Sequence, residues 1–383
     1  MSQSPEFETD DLFANNDFFK ELAKESLYYY SSLALNPVHQ TISKHTIVSR
    51  CEDFILHILE SIRNGSDFCI EVDNVRHSCA DSKKSVVSFS NFRSIRSLTV
   101  FFQVFRTVLE LLVGDEFSTK RDIYYQNPDF YQKQEVINLA LGNLASILNV
   151  NRSDLHVFAS SKGLIAGSMI YVNSDNVRIN CAETISGIPV ENDVDAISHF
   201  YSNADLLLIV EKDAIFQKLL NSGFLLKFST ILLFTARGYP DYNSRRMVRR
   251  ICESLHIPCL VLVDADPHGL EIMTVYKYGS RTMTNDNYRL NVPSLKWIGL
   301  LPSDVDHLNI PSSELIEFSA RDHRKLEDLS NKNYFQTNSK WSHQISILKE
   351  SKKKAEIQCL YSLSSNYLID SYLPSKIFCG SWI

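Results

Sequence analysis

The sequence predicts two kinds of fold in succession, an α+β half followed by an α/β half. Three observations carry this. Through most of the first 150 positions, apolar residues recur at three- and four-residue spacing, the period of helices packed on one face. Three short strand-like pieces follow, over 155–159, 169–172 and 177–181. Beyond residue 200, LLLIV (206–210), TILLF (230–234) and CLVLV (259–263) are continuous apolar runs separated by helical stretches, the pattern of a parallel sheet covered on both faces. A chain of 383 residues suggests about two or three domains.

Taken in order, residues 1–16 carry Glu6, Glu8, Asp10 and Asp11 with few large apolar groups and read as a disordered leader. Helices are expected over 18–33, 48–62 and 91–113, the last stopped by Gly114. The polar patch 77–90 between them reads as loop or hairpin. Ser118 and Thr119 are N-cap candidates for a short helix, KRDIYYQ, which Asn127-Pro128 ends. Over 132–148, Val136, Ile137, Ala140, Leu141, Leu144, Ile147 and Leu148 share one helical face. Helices followed by a small sheet read as a winged-helix domain over 17–185. The acidic, aperiodic stretch 188–197 is the expected boundary, and 198–383 forms the α/β domain. Its tail is expected to hold one helix around 324–329 and another through KESKKKAEIQCLYSL.

Composition narrows the class. Lys and Arg number 39 against 45 Asp and Glu, a net charge of −6, which excludes a histone-like polycation but allows a local basic face. Eight cysteines (51, 69, 79, 181, 252, 259, 359 and 379) contain no C-x-x-C pair, so neither a zinc ribbon nor a dense disulfide framework is expected, and a reducing compartment fits. The N-terminal stretch is acidic where a secretory signal would be basic and then apolar. The apolar stretch 98–113 is interrupted by Arg106 and Glu110, as in a buried amphipathic helix, and no membrane role is expected.

Chemistry concentrates where apolar runs end in acids. LLLIV ends in Glu211 and CLVLV in Asp264-Ala265-Asp266. In an open parallel sheet, ligands collect at the carboxyl ends of strands, and three carboxylates gathered there call for a hard cation such as Mg²⁺. Asp266 before Pro267 also fits a plain helix cap. Between these acids, Arg237, Arg245, Arg246, Arg249 and Arg250 face the single Asp241. Four of them lie at helical spacing, as in a stripe that grips a phosphate backbone or as on a solvated surface helix. Tyr239, between Gly238 and Pro240, suits a turn or a ring packed on a sugar or base. In KRDIYYQ, Arg121 and Asp122 precede Tyr124 and Tyr125, and successive helical residues diverge by about 100°, so the two rings cannot share a target. A tyrosine nucleophile needs help, its free pKa being about 10. SSKGLIAGS, with Lys162, lacks the spacing of a Walker A loop, and His268 has no ligand spacing.

These pieces, in this order, resemble the eukaryotic meiotic double-strand-break transesterases (sporulation protein eleven), kin to the A subunit of archaeal DNA topoisomerase VI. The blocks that carry the resemblance are TKRDIYYQ, SSKGLIAG, IVEKDAIFQKLL, RGYPDYNSRRMV, VDADPHGLEIMTVYKYGS, VPSLKWIGLLPSD and KKAEIQ, spread over 118–358. VDADPHG and IGLLPSD are more similar to the meiotic branch. The resemblance implies a CAP-like winged-helix domain carrying the tyrosine, then a Toprim domain carrying the metal. It assigns the nucleophile to Tyr125 with Tyr124 as a supporting ring, the supporting arginine to Arg121, and Mg²⁺ ligation to Glu211, Asp264 and Asp266. Lys162, and the loop from Arg237 to Asp241 through Tyr239, are then expected to contact DNA, beside Arg245 and Arg246 of the stripe.

The same resemblance implies a reaction and partners. Tyr125 attacks a backbone phosphorus of double-stranded DNA, leaving a 5′-phosphotyrosyl link and a free 3′-hydroxyl. A homodimer pairs the tyrosine of one protomer with the metal of the other. Other break-forming accessory proteins and a topoisomerase VI B-like subunit are implied, with a nuclear place on meiotic chromosomes. The competing readings are the A subunit of a working topoisomerase VI and a catalytically silent DNA-binding paralogue.

Overall fold

The computed structural model describes residues 16–34, 42–73, 84–88, 91, 94–158, 161–280 and 287–383. The expected leader lies outside these residues except for Asn16, and so does most of the polar patch 77–90. Packing divides the chain into two units. One spans 37–160 with 280–288; the other joins the chain up to 36 with 161–279 and 289–383.

Helix α1 (Asp17–Ala34) belongs to the second of these. Its Phe19, Leu22 and Tyr30 are buried in that unit's core, Ser26 Oγ donates to the Ile257 carbonyl at 3.1 Å, and the Tyr30 hydroxyl lies 3.4 Å from Ser294 Oγ.

The 37–160 unit is chiefly helical. It comprises α2 (Lys44–Arg63), a hairpin of β1 (Cys69–Asp73) and β2 (Lys84–Ser88), α3 (Ile95–Gly114), β3 (Ser118–Thr119), α4 (Lys120–Gln126), α5 (Pro128–Tyr131), α6 (Gln134–Leu148) and β4 (Val157–Phe158). The helical spacing read in the sequence becomes one core: Ile47 and Cys51 of α2, Val104, Phe105 and Val108 of α3, and Ile137, Leu141 and Leu144 of α6. Helix α3 is long and apolar enough to cross a bilayer, but eight of its side chains are buried in this unit. Gly114 is its last residue; the stop falls one position later, where Asp115 takes the left-handed conformation with φ 56°.

The second unit is built on a six-stranded sheet. In chain order its elements are β5 (Leu164–Ala166), β6 (Met169–Val172), β7 (Arg178–Asn180), β8 (Ile188–Pro189), β9 (His199–Ser202), β10 (Leu206–Val210), α7 (Asp213–Asn221), α8 (Phe224–Lys227), β11 (Ile231–Thr235), α9 (Tyr242–Leu255), β12 (Cys259–Leu262), α10 (Pro267–Tyr278) and β13 (Lys296–Gly299). The sheet order is β13-β12-β10-β11-β5-β8, parallel from β13 through β11, with β5 and β8 added antiparallel. Strand residues alternate between two cores. Leu207, Ile209, Phe234 and Val261 meet α9 and α10, while Leu206, Leu208, Leu233 and Leu262 meet α7 and the tail. This two-sided burial is why the runs read as continuous apolar sequence. From β10 the chain passes to β11 on one side, and β12 then lies on the other side of β10. The strand order therefore reverses between β10 and β12, opening a crevice at their carboxyl ends.

Three expectations are corrected. The structure divides near residue 160, not at 188–197, and residues 17–34 leave the first unit. Of the short strands expected to form a wing, 155–159 reduces to β4, paired with β3, while 169–172 and 177–181 become β6 and β7 of a separate sheet, β7-β6-β9; β5 and β8, not expected as strands, join the large sheet. In the tail, the helix over 320–330 is present, but KESKKKAEIQCLYSL is not one helix. Helix Ser339–Ser351 ends at Lys352 with φ 54°, and β14 (Leu315–Glu317) then pairs with β15 (Lys353–Ala355) before a 3₁₀ turn over Ile357–Ser362. Pairing with β14 and a bridge between Ala355 and Ala265 return this lysine-rich stretch to the sheet's acidic end.

Candidate active site

Two regions carry the expected chemistry, one in each unit. In the second unit the switch crevice collects the acids. Strands β10 and β12 pair in register up to Val210 opposite Leu262, so Glu211 and the Asp264 turn emerge side by side. The Glu211 amide donates to the Leu262 carbonyl at 3.0 Å, and the Asp264 amide donates to Glu211 Oε2 at 2.9 Å. Asp264 is buried. Its Oδ1 accepts the Ile357 amide at 2.8 Å and its Oδ2 pairs with Lys212 Nζ at 2.8 Å. Asp266 caps α10, accepting the Gly269 amide at 2.6 Å, with Pro267 in the first turn. The cap reading of Asp266 therefore holds.

Burial, and then the Asp264 charge with a contribution from Asp266, pushes the Glu211 carboxyl up to about 8, against the pull of the Asp264 amide and Lys212. Burial likewise raises Asp264, opposed by Lys212 and the Ile357 amide. Excess negative charge packed out of water is the setting in which a hard cation is welcome. Among the described residues no three of His, Cys, Asp and Glu form a ready cage for one ion. Both Asp264 oxygens are engaged, whereas among the described residues Glu211 and Asp266 each keep one oxygen without a hydrogen bond. Two carboxylates completed by waters and phosphate oxygens suit Mg²⁺, so the donor set fits it.

This crowding has a measurable consequence. Between the ordinary carboxylate range of about 4.3 and its folded value, Glu211 holds a proton in the folded chain that the unfolded chain has lost, so stability falls as pH rises across that window. In EDTA, the melting temperature is expected to drop from about pH 5 to about pH 8. Glu211→Gln should flatten that drop, and an unchanged pH profile in this variant would contradict the stated cause.

The loop after β11 borders the same crevice. Arg237 and Gly238 take positive φ, 56° and 100°, and the Gly238 amide donates to the Glu211 carbonyl at 2.9 Å. The Arg237 side chain is half exposed, 3.5 Å from Asp213. Tyr239 is exposed, its hydroxyl 3.0 Å from His268 Nδ1 and donating to Glu271, which Lys325 also engages. Asp241 caps α9 and accepts from Ser244 and, at 2.9 Å, from the Lys162 amide. The loop and the exposed Lys162 are thereby joined. Gly163 lets this happen: a Cβ there would lie 2.7 Å from Ser244 Oγ.

Arg245 and Arg246 are not part of that surface. Arg245 is fully buried and donates to Asn291 Oδ1 at 2.9 Å, while Arg246 pairs with Asp195 at 2.7 Å. Arg249 donates to the Asn291 carbonyl, and Arg250 to the carbonyls of Val194, Asp195 and Ile197. The stripe faces inward and holds polypeptide, so the expectation that Arg245 and Arg246 bind DNA is withdrawn.

In the 37–160 unit, Thr119 and Asp122 form a reciprocal capping box, with both amide-to-side-chain distances 3.1 Å. It fixes α4 with Ile123 buried, Tyr124 half-buried against the core and Tyr125 66% exposed. The two rings meet edge-on, with centroids 5.3 Å apart. Arg121 is exposed on the same short helix. Sequence reasoning gave no role to Lys212, Gly269 or the 355–358 segment, although all three lie within the blocks that carry the resemblance.

Comparison with known proteins agrees with this layout. The family model for the Toprim domain of Spo11 and the topoisomerase 6 A subunit matches residues 206–377, which include all three acids. The model described as "Type IIB DNA topoisomerase" matches 96–157, which includes Tyr125. The chain is 36% identical to the human "Meiotic recombination protein SPO11" over 355 residues, covering 89% of each. It is 39% identical to the mouse protein of that name over 291 residues, 76% of this chain and 74% of that one. With the A subunit of DNA topoisomerase 6 from Arabidopsis thaliana it shares 29% identity over 350 residues, 88% of this chain and 82% of that one. By its two matched domains and its similarity along most of its length, the chain belongs to the family formed by Spo11 and the topoisomerase VI A subunit.

Proposed function

We propose that this chain is a topoisomerase-like transesterase that makes DNA double-strand breaks in meiosis through a tyrosyl link. The observation that carries the reading is a pair of features in the matched domains: an exposed tyrosine on a tightly capped helix, and buried carboxylates at the strand-order switch. In this reading the Tyr125 hydroxyl attacks a backbone phosphorus and gives up its proton. The bond from phosphorus to the 3′ oxygen breaks, and that oxygen takes a proton to leave as a hydroxyl. The 5′ phosphate stays on Tyr125. One phosphodiester replaces another, so neither ATP nor water enters. Arg121 stabilises charge on the phosphoryl oxygens as the tyrosine attacks. Glu211 and Asp266 would hold Mg²⁺, with Asp264 beside them, and the ion when bound supplies charge neutralisation at the phosphodiester. Lys162, Arg237 and Tyr239 hold the duplex backbone.

A two-fold homodimer supplies two tyrosines for two antiparallel strands. Accessory proteins and a topoisomerase VI B-like subunit are the expected partners, on meiotic chromosomes in the nucleus. The 29% identity to a topoisomerase 6 A subunit keeps one second reading, a chain that reseals what it cuts. The test is recovery of this chain from meiotic cells covalently attached to 5′ DNA ends. Breaks that form without such adducts would overturn the proposal, and adducts that reverse during strand passage with a B subunit would favour the second reading.

A further inference from the structure

We propose that Lys212 is a positioning residue that serves as the resident cation of Asp264 and competes with a divalent ion for the acidic crevice. The inference rests on the Mg²⁺ reading above and adds a residue that this reading does not use.

Lys212 sits at the N-cap of α7, in extended conformation and with no side-chain cap bond. A cation is locally disfavoured there, where Ser or Asp would satisfy free amides and the helix dipole repels positive charge. Its reason lies across the sheet. Its Nζ is 2.8 Å from Asp264 Oδ2, 3.1 Å from Glu356 Oε2 and 3.2 Å from Gln358 Oε1, so its three protons meet three acceptors. The Asp264 side chain is 6% exposed, that of Glu356 50%.

The chain returning from β15 completes the arrangement. Ala265 and Ala355 exchange amide-to-carbonyl bonds of 2.9 and 3.2 Å, which brings the Ile357 amide onto the other Asp264 oxygen. Asp264 is therefore neutralised by protein, and an ion approaching its Oδ2 meets an ammonium. Glu356 gives Lys212 a second, more solvated acceptor to which its charge can move.

Removing the charge leaves Asp264 and Glu356 without their shared cation beside Glu211, and a dication should then bind more tightly. The full chain, stripped with EDTA, is titrated with Mn²⁺ alone while free Mn²⁺ is followed by electron paramagnetic resonance. Lys212→Met is expected to bind about tenfold more tightly than the natural chain. Lys212→Arg, which keeps the charge, should stay within about twofold. Lys212→Gln keeps a hydrogen-bond donor for Asp264, tests charge without depending on the fold of the methionine variant, and should also bind more tightly. Binding by the neutral variants that is equal to or weaker than the natural chain's overturns the proposal, since a merely structural lysine leaves ion affinity unmoved. Glu211→Gln tests the underlying reading separately: if it binds Mn²⁺ like the natural chain, the crevice is not the ion's site, whatever Lys212 does.

Discussion

Tyr125→Phe is expected to remove covalent protein–DNA adducts from meiotic cells, a fall of at least about a thousandfold, while Tyr124→Phe retains them. The asymmetry is structural. One helix carries both rings, but the capping box sets its rotation so that Ile123 is buried and Tyr125 projects outward at 66% exposure. Tyr124 packs on the core through its ring, which phenylalanine reproduces. Adduct recovery followed by protease digestion and end mapping reads the result directly. Equal adduct levels in Tyr125→Phe and the natural chain would assign the nucleophile elsewhere, with Tyr124 the next candidate.

The second large effect is expected at Gly269→Ala. The first turn of α10 passes so close to the Asp264 turn that an added Cβ would overlap the Asp264 carbonyl oxygen and lie 3.1 Å from its nitrogen. Neither neighbour is a flexible side chain, so strand end or helix must shift. A loss of about 3 kcal/mol in denaturant unfolding is expected, at the upper end for overpacking. The same shift moves Asp264 and Asp266 relative to Glu211, so Mn²⁺ binding should fall with stability. Gly114→Ala is the control, because its nearest neighbours are the flexible Glu116 side-chain atoms at 3.6 Å and beyond. Natural stability in Gly269→Ala would show that this approach does not set the carboxylate geometry.

How much of this was legible depended on whether the signal was local. The Thr119 box, the apolar β10, β11 and β12, and the acids ending two of those strands all depend on near neighbours in sequence, and all were readable. The arginines of α9 were misread because helical spacing says which residues share a face, never what that face meets. Asp195 and Asn291, which hold Arg246 and Arg245, lie about fifty residues away in either direction. The domain boundary failed for a related reason. Short antiparallel strands of three or four residues, such as β6 and β7, look alike whether they close a wing or form a separate sheet on the second unit. The Lys212 contacts were invisible because Asp264 lies across the strand switch, and Glu356 and Gln358 come from a tail segment about 145 residues later.

The place of α1 has a consequence for synthesis. Asn16 Nδ2 donates to the carbonyls of Ile377 and Phe378, and the Phe18 ring lies against Gly380. These partners of the early helix thus lie 361 and 362 residues later in the chain. On the ribosome, the 37–160 unit can complete its core while the apolar side of α1 still waits, and the α/β unit closes only after residues 377–378 have emerged. A stalled or truncated nascent chain should therefore hold one finished unit and one sticky, chaperone-dependent half.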